Sequence, residues 1–293
     1  MRADKNCTML LDMHSHMLPG LDDGASNWKQ SLIMASMAVE DGIEGVVCTP
    51  HWVLGRYENT RSVILSALEK LKKKLADHEI PLKVYPGAEL HLDVSIPQGI
   101  RAGDLLTIND TGCFALIELP EELLPQNLEE FFWDLHTQKI TPIISHPERN
   151  AVLLQDPMRL YQWVQMGVLT QLTAASLLGL FGRKVQKFSA LLVEHNLIHI
   201  LATDAHGLNV RTPILSEGYK VIEGMKGKET AFQMVCETPK RIIQGEPVSP
   251  DEPILIRARS TGFTHWKRFF SFLIIAFIMI LRLSACTPHG APQ

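Results

Sequence analysis

Histidines and carboxylates recur in this chain where short apolar runs end: His14-Ser15-His16, Thr49-Pro50-His51, Glu89, Glu118, His146 and Asp204-Ala205-His206. Imidazole nitrogens and carboxylate oxygens are the donors that divalent transition metals take. On an extended strand residues i and i+2 share a face, so His14 with His16, and Asp204 with His206, can act together. A short acidic turn, Asp22-Asp23-Gly24, follows the first pair, and Asp23 joins the set as a further oxygen donor. These candidates exceed what one tetrahedral ion needs, so two or three ions are implied. The mixed donor set suits Mn, Fe or Zn better than Ca or Mg. His91, two residues beyond Glu89, is read as a neighbour of the ligands.

Two arginines stand just past ligand positions. Arg149 closes His146-Pro147-Glu148-Arg149, and Arg211 lies five residues after His206. Guanidinium forks bind phosphate oxygens bidentately and stabilise charge in phosphoryl transfer. Taken singly, a His or Glu near a strand end is usually an ordinary hydrogen-bonded residue, and a loop arginine is usually solvated. The weight rests on their joint placement.

That placement needs elements whose ends meet. The apolar runs are 9–13, 45–48, 82–85, 114–119, 142–145, 168–172 and 197–202. Helical periodicity fills most of the gaps: Ser26 to Asp41 with an N-cap Ser or Asn and Gly42 as a stop, Thr60 to His78 with Leu65, Leu68, Leu71 and Leu75 inward, then 128–138, 157–166, 183–196, 217–225 and 229–237. Strands alternating with helices predict an α/β barrel of parallel strands, whose strand C-termini open on one face where catalytic residues collect. No G-x-G-x-x-G follows the first strand, which argues against dinucleotide binding.

The 293 residues are 46% hydrophobic and 20% charged with a net charge of −4, so no nucleic-acid partner is expected. The five cysteines are scattered and form no C-x-x-C pair, which favours a reducing compartment; no signal peptide opens the chain, and the body reads as cytoplasmic. The barrel is expected over 1–248, a Pro-rich acidic linker over 249–265, and a hydrophobic tail over 266–293. In that tail Trp266-Lys267-Arg268 precedes the apolar stretch Phe269–Leu281, and Leu283-Ser284-Ala285-Cys286 follows. It reads either as a membrane anchor, placing the protein at the inner face of the cell membrane, or as a lipoprotein-signal-like segment at a gene boundary.

The H-x-H pair, Leu21-Asp22-Asp23-Gly24, Thr49-Pro50-His51, Gly87-Ala88-Glu89, Ala115-Leu116-Ile117-Glu118, His146-Pro147-Glu148-Arg149 and Thr203-Asp204-Ala205-His206 together resemble the PHP (polymerase and histidinol phosphatase) superfamily. More narrowly, their order is similar to the CpsB/YwqE-type tyrosine-protein phosphatases of bacterial capsule and exopolysaccharide loci. The resemblance covers about residues 8 to 245. It implies a distorted (β/α)7 TIM-like barrel with three ions, often manganese. It would place His14, His16, Glu89 and Asp204 on one ion, Glu89, Glu118 and His146 on a second, and Asp23, His51 and His206 on a third, with Arg149 and Arg211 on the phosphoryl oxygens. The implied substrate is phosphotyrosine in the Tyr-rich tail of a cognate bacterial tyrosine autokinase.

The residues leave three alternatives open: a small-molecule phosphatase such as histidinol-phosphatase, an amidohydrolase-type metal hydrolase, and a non-catalytic metal-binding barrel. The second commonly bridges its metals with a lysine in the barrel, and no lysine ends an apolar run here. Cysteine-based phosphatase chemistry needs C-x5-R. Six residues after the cysteines stand Met13, Leu54, Leu119, Ile242 and Pro292, so cleavage of phosphotyrosine would have to use metal.

Overall fold

The computed structural model describes residues 9–256. The expected tail (266–293) and the linker from 257 onward lie outside the described residues.

Each of the seven apolar runs contributes a strand, as residues buried on both faces of a parallel sheet should. In chain order the strands are β1 (Leu10–Ser15), β2 (Ile43–Cys48), β3 (His51–Val53), β4 (Tyr57–Glu58), β5 (Lys83–Pro86), β6 (Glu89–His91), β7 (Phe114–Glu118), β8 (Thr141–Ser145), β9 (Leu169–Thr173) and β10 (Ile200–Ala202). They are ordered β1-β2-β5 in one sheet and β10-β9-β8-β7-β6-β3-β4 in the other, and every pairing is parallel except β3 with β4. β3 continues β2 past Thr49-Pro50, and β6 continues β5 past Gly87-Ala88, so the two sheets share their staves. A Cβ on Gly87 would lie 2.8 Å from Val47 Cγ1 and 3.1 Å from Thr49 Cγ2, which is why the kink in that stave needs glycine. A parallel bridge between Ser15 and Ala205 ties the end of β10 back to β1, and Asp204 N donates to His14 O at 2.9 Å. The ring therefore closes as the expected distorted (β/α)7 barrel.

The barrel interior changes character along its axis. Leu11, Met13, Val47, Phe114, Leu116, Ile143, Leu169 and Ile200 form an apolar cluster at the lower level, closed by Ile242 and Ile243. Two residues further along β7, β8 and β9, the same inward parity brings up Glu118, Ser145 and Gln171. On β1 consecutive residues Met13 and His14 both serve the interior, which a regular strand forbids. A register shift between Asp12 and Ser15 supplies the explanation, because a bulge re-aims the side chains beyond it.

Around the strands pack α1 (Trp28–Glu40), α2 (Arg61–Asp77), α3 (Ile96–Ala102), α4 (Leu128–Thr137), α5 (Ala151–Gln155), α6 (Pro157–Gln165), α7 (Ala174–Leu177), α8 (Arg183–Glu194), α9 (Ser216–Lys226), α10 (Lys228–Phe232) and α11 (Thr238–Gln244). Asn27 is the cap of α1, its side chain accepting from Gln30 N. On α2 the buried stripe is Ile64, Leu68, Leu71 and Leu75, so Ile64 replaces the expected Leu65 as its first member. The helix expected over 229–237 is divided: α10 gives way to a π-helical turn at Gln233–Glu237 before α11. The first residues of the expected linker run back over α8, where Ile254 N donates to His195 O at 2.8 Å and Asn196 Nδ2 to Glu252 O at 3.0 Å. Among the described residues no helix is long and apolar enough to cross a membrane.

Candidate metal centre

All nine candidate ligands gather at the mouth formed by the strand C-termini. The donor atoms of eight of them fall into three groups, in each of which the atoms lie within 4.8 Å of one another: His14, His16, Glu89 and Asp204; His16, Asp23, His51 and His206; and His51, Glu89 and Glu118, where His51 takes the place expected for His146, which falls in none of the three. Glu89 is the hub. Its Oε2 lies 3.1 Å from His14 Nε2, 3.3 Å from His16 Nε2 and 3.1 Å from His51 Nδ1, while its Oε1 accepts from His146 Nε2 at 2.8 Å and Ser145 Oγ at 2.7 Å. His146 Nε2 is also 3.7 Å from Glu118 Oε1. Relative to the expected sets, His16 and His51 each border two groups.

The residues present fit divalent ions. Two donors each about 2.1 Å from one ion and at right angles lie about 3 Å apart, which is the spacing around Glu89. His14 Nε2 and His16 Nε2 face each other at 3.0 Å; with the Nδ1 protons directed to Gln171 Oε1 and Asp22 Oδ2, both neutral rings present lone pairs there. Glu89 Oε2, Asp204 Oδ1, His51 Nδ1 and His206 Nε2 are buried without a hydrogen-bond partner, which is costly unless something else completes them. Five carboxylates (Asp22, Asp23, Glu89, Glu118, Asp204) outnumber the guanidinium groups of Arg56, Arg149 and Arg211 that line the cavity, so with neutral imidazoles the cage is short of positive charge.

The ionisation of the buried groups follows. Burial opposes charge on Glu89, but His14, His146 and His16 outweigh it and hold the carboxyl well below its ordinary range. Asp204 is likewise held down against burial, chiefly by Arg149 and His14. Burial works against the imidazolium of His16, yet Asp22, Asp204 and Glu89 leave its pKa well raised; Glu89 and Asp204 do the same for His14. Burial lowers His51 and His206, leaving them neutral donors.

Three groups that position the candidate ligands do not end an apolar run and so escape the sequence pattern. Asp22, not only Asp23, matters: its Oδ2 lies 2.7 Å from His16 Nδ1 and accepts from His51 N at 2.9 Å, so one carboxylate aims two imidazoles. Gln171 Oε1 sits 2.8 Å from His14 Nδ1, turning Nε2 toward the cage. Asp12 takes Thr203 N at 2.9 Å and pins β10 beside β1. A polar residue interrupting an apolar run was the available signal for Gln171 and Asp12. His91 Nδ1 is 3.1 Å from Glu118 Oε2, as a neighbour of the ligands should be.

Arg149 Nη2 donates to Asp204 Oδ2 at 2.6 Å, and Arg211 Nη1 to the same oxygen at 3.3 Å. Both line a cavity of about 370 Å³ together with Tyr57, His51 and Glu118. His146, Asp204 and Arg211 hold φ of 32°, 52° and 50°, backbone that L-residues rarely adopt and that clusters at functional sites.

Gly24 sets the approach of the acidic turn. A Cβ there would lie 2.2 Å from His16 O and 2.4 Å from His16 Cβ, while Gly24 N donates to Asp22 Oδ1 at 2.9 Å. In Gly24→Ala the turn must withdraw, loosening Asp22 and Asp23 from the histidines. The expected result is a metal content reduced by elemental analysis and a loss of activity on the order of 10–100-fold, the range for disturbed ligand supports. Full metal loading with normal turnover would show that the turn does not position the ligands.

A family model described as capsular polysaccharide synthesis, CpsB/CapC, matches residues 10–244. The tyrosine-protein phosphatase YwqE of Bacillus subtilis (strain 168) is 36% identical over 256 residues, spanning 87% of this chain and 100% of the relative. The putative tyrosine-protein phosphatase CapC of Staphylococcus aureus is 30% identical over 244 residues, spanning 83% of this chain and 95% of its own length. A solved structure described among "Crystal structures of YwqE from Bacillus subtilis and CpsB from Streptococcus pneumoniae, unique metal-dependent tyrosine phosphatases" superposes with a TM-score of 0.82 at 36% identity, covering 85% of this chain and 100% of that one. A prolidase complexed with N-methylphosphonate-L-proline, at 10% identity and a TM-score of 0.50 over 81% of this chain and 74% of that one, shares the fold alone.

Proposed function

The chain belongs to the CpsB/CapC family of capsular polysaccharide synthesis, and on that premise we propose that it is a metal-dependent protein-tyrosine phosphatase. The observation that carries this reading is the meeting of three donor groups with two arginines at one cavity.

In this reading His14, His16, Asp23, His51, Glu89, Glu118, His146, Asp204 and His206 hold two or three ions, manganese first among the candidates and iron or zinc behind it. Ions held there would supply positive charge for the phosphoryl oxygens and would lower the pKa of a water. The chain's own residues do the rest. Asp22 and Gln171 orient His16 and His14. Arg149 and Arg211 exchange their contacts with Asp204 for phosphoryl oxygens and hold the ester in line. A tyrosine leaving group has a pKa of about 10, so departure needs little help from a dedicated acid.

The substrate we propose is phosphotyrosine in the Tyr-rich tail of a cognate tyrosine autokinase governing capsule or exopolysaccharide export, with the enzyme acting in the cytoplasm beside it. The family's tie to capsular polysaccharide synthesis and the relatives' names as tyrosine-protein phosphatases support this. The barrel over 1–248 would then be the catalytic unit, followed by a linker over 249–265 and a tail over 266–293 that is either a membrane anchor or a lipoprotein-signal-like segment at a gene boundary.

The test is hydrolysis of a phosphotyrosine peptide and of histidinol phosphate by metal-stripped protein, with and without added manganese. Manganese-dependent cleavage favouring the peptide is expected. Preference for histidinol phosphate would overturn the substrate, and turnover that survives complete metal removal would overturn the mechanism.

A further inference from the structure

A second cavity of about 670 Å³ opens beside the metal centre. One wall is the turn after α7, which presents Leu178 and Leu180 at 43% and 50% exposure. The other is the loop after β10, with Asn209 and Ile214, and Lys220 of α9 also borders the groove.

Two contacts relate the groove to the candidate catalytic cavity. Arg211 lines both. On the opposite wall, Phe181 lies under the Arg149 guanidinium at 5.0 Å, so the segment 178–181 touches a phosphate-clamp arginine at one end and offers two leucines to the groove at the other. The segment is also fixed. Leu180 N donates to Ala175 O at 3.0 Å, Gly182 N to Gly179 O at 2.9 Å, and Gln186 Nε2 to Leu177 O at 2.9 Å. Ser176 Oγ donates to Glu148 Oε1 at 2.6 Å, joining it to the loop that carries Arg149. Across the groove, the Asp41 carboxylate is engaged by Leu215 N, Ser216 N and Ser216 Oγ, which anchors the second wall at the start of α9.

Leu178 and Leu180, held half-exposed by these bonds beside the candidate metal centre, give the groove an apolar wall. We propose that the groove receives the polypeptide next to the phosphotyrosine, whose apolar side chains pack on Leu178 and Leu180. This rests on the phosphatase reading, because a protein substrate must leave the cavity along some surface and Arg211 borders both the cavity and the groove. The groove thus serves protein substrates and is irrelevant to a small aryl phosphate.

The test is the double variant Leu178→Asp/Leu180→Asp of the full, manganese-loaded chain. Two readouts are needed: kcat/KM for a phosphotyrosine peptide with apolar neighbours against that for p-nitrophenyl phosphate, and the Kd of a labelled peptide carrying non-hydrolysable phosphonomethyl-phenylalanine. Losing the burial of two half-exposed leucines should weaken peptide Kd and kcat/KM roughly tenfold or more, with p-nitrophenyl phosphate turnover within about twofold of the parent. An unchanged peptide Kd, or equal losses on both substrates, overturns the proposal. Loss of a parent dimer in sedimentation, with peptide binding intact, would assign the groove to a second copy instead. If the parent hydrolyses neither substrate, the phosphatase reading fails, while the Kd comparison still decides the groove.

Discussion

Glu89→Gln is expected to abolish metal-dependent turnover, with kcat lowered by at least about 10³-fold and most of the bound metal lost. The estimate starts from the 10–100-fold cost of disturbing groups that merely support ligands, and Glu89 is no mere support. Its two oxygens lie within 3.3 Å of nitrogens from His14, His16, His51 and His146. It also belongs to two of the three donor groups. Glutamine keeps the shape but replaces one oxygen by a donor N–H and removes a full negative charge from a buried cage. The amide would point protons at imidazole nitrogens that need lone pairs for metal. Leaving buried cationic or donor groups unmatched costs about 3–5 kcal/mol when one partner of a buried pair is removed, so the variant should also melt earlier. Ser145→Ala is the control, since it removes only the hydroxyl that donates to Glu89 Oε1 and should cost no more than about 10–100-fold. The checks are metal stoichiometry by elemental analysis, turnover at saturating manganese, and thermal melting. Glu89→Gln with normal stoichiometry and turnover would remove Glu89 from the ligand set.

The prominence of Glu89 illustrates which parts of the site the sequence discloses. A ligand at the end of an apolar run is legible, because the run predicts a strand and parallel strands bring their C-termini to one face. His14, His51, His146 and Asp204 are candidates on that ground. Groups that act by reaching another strand are not legible, because nothing local marks their partner. Gln171 meets a histidine 157 residues away, and Asp12 meets Thr203 across 191. Within Asp22-Asp23 the sequence offers two carboxylates side by side. Only the fold shows that Asp22 aims His16 and His51 while Asp23 faces His51 and His206 at 3.5 Å.

The same limit governs the architecture. Seven staves and their helices are visible in the hydrophobic pattern, whereas β3 and β6 escape it because three residues carry no periodicity. Yet these short extensions matter to the chemistry. Their register sets His51 opposite Glu89 and His91 opposite Glu118. The bulge in β1 is equally silent in sequence. It lets Met13 fill the apolar floor while the next residue, His14, serves the cage.

Arg149→Ala is expected to lower kcat/KM by about 10³-fold while leaving metal content intact, and Arg211→Ala to have the smaller effect. A buried donor aimed at developing phosphoryl charge is worth about 10²–10³ in kcat, and a guanidinium adds a full charge to its donors. The asymmetry follows from how each arginine is held. Arg149 lies on the turn after β8, with 15% of its side chain exposed, packs on Phe181 and donates to Asp204 at 2.6 Å. Burial works against its charge, but Asp204, Glu148 and Glu89 more than compensate, so it is a fixed cation. Arg211 is 25% exposed on a loop with positive φ and reaches Asp204 only at 3.3 Å. It has more water and more freedom, and its loss should fall mainly on KM. Because both meet the same carboxylate oxygen, the double variant should lose less than the product of the single losses. Arg149→Lys separates charge from shape: lysine keeps the cation but not the planar fork, so recovery should be partial. Steady-state kinetics on a phosphotyrosine peptide, read beside metal content for every variant, provide the check. If Arg149→Ala stays within about threefold of the parent, or if its loss tracks lost metal, the clamp is misassigned and Arg149 serves only to neutralise Asp204.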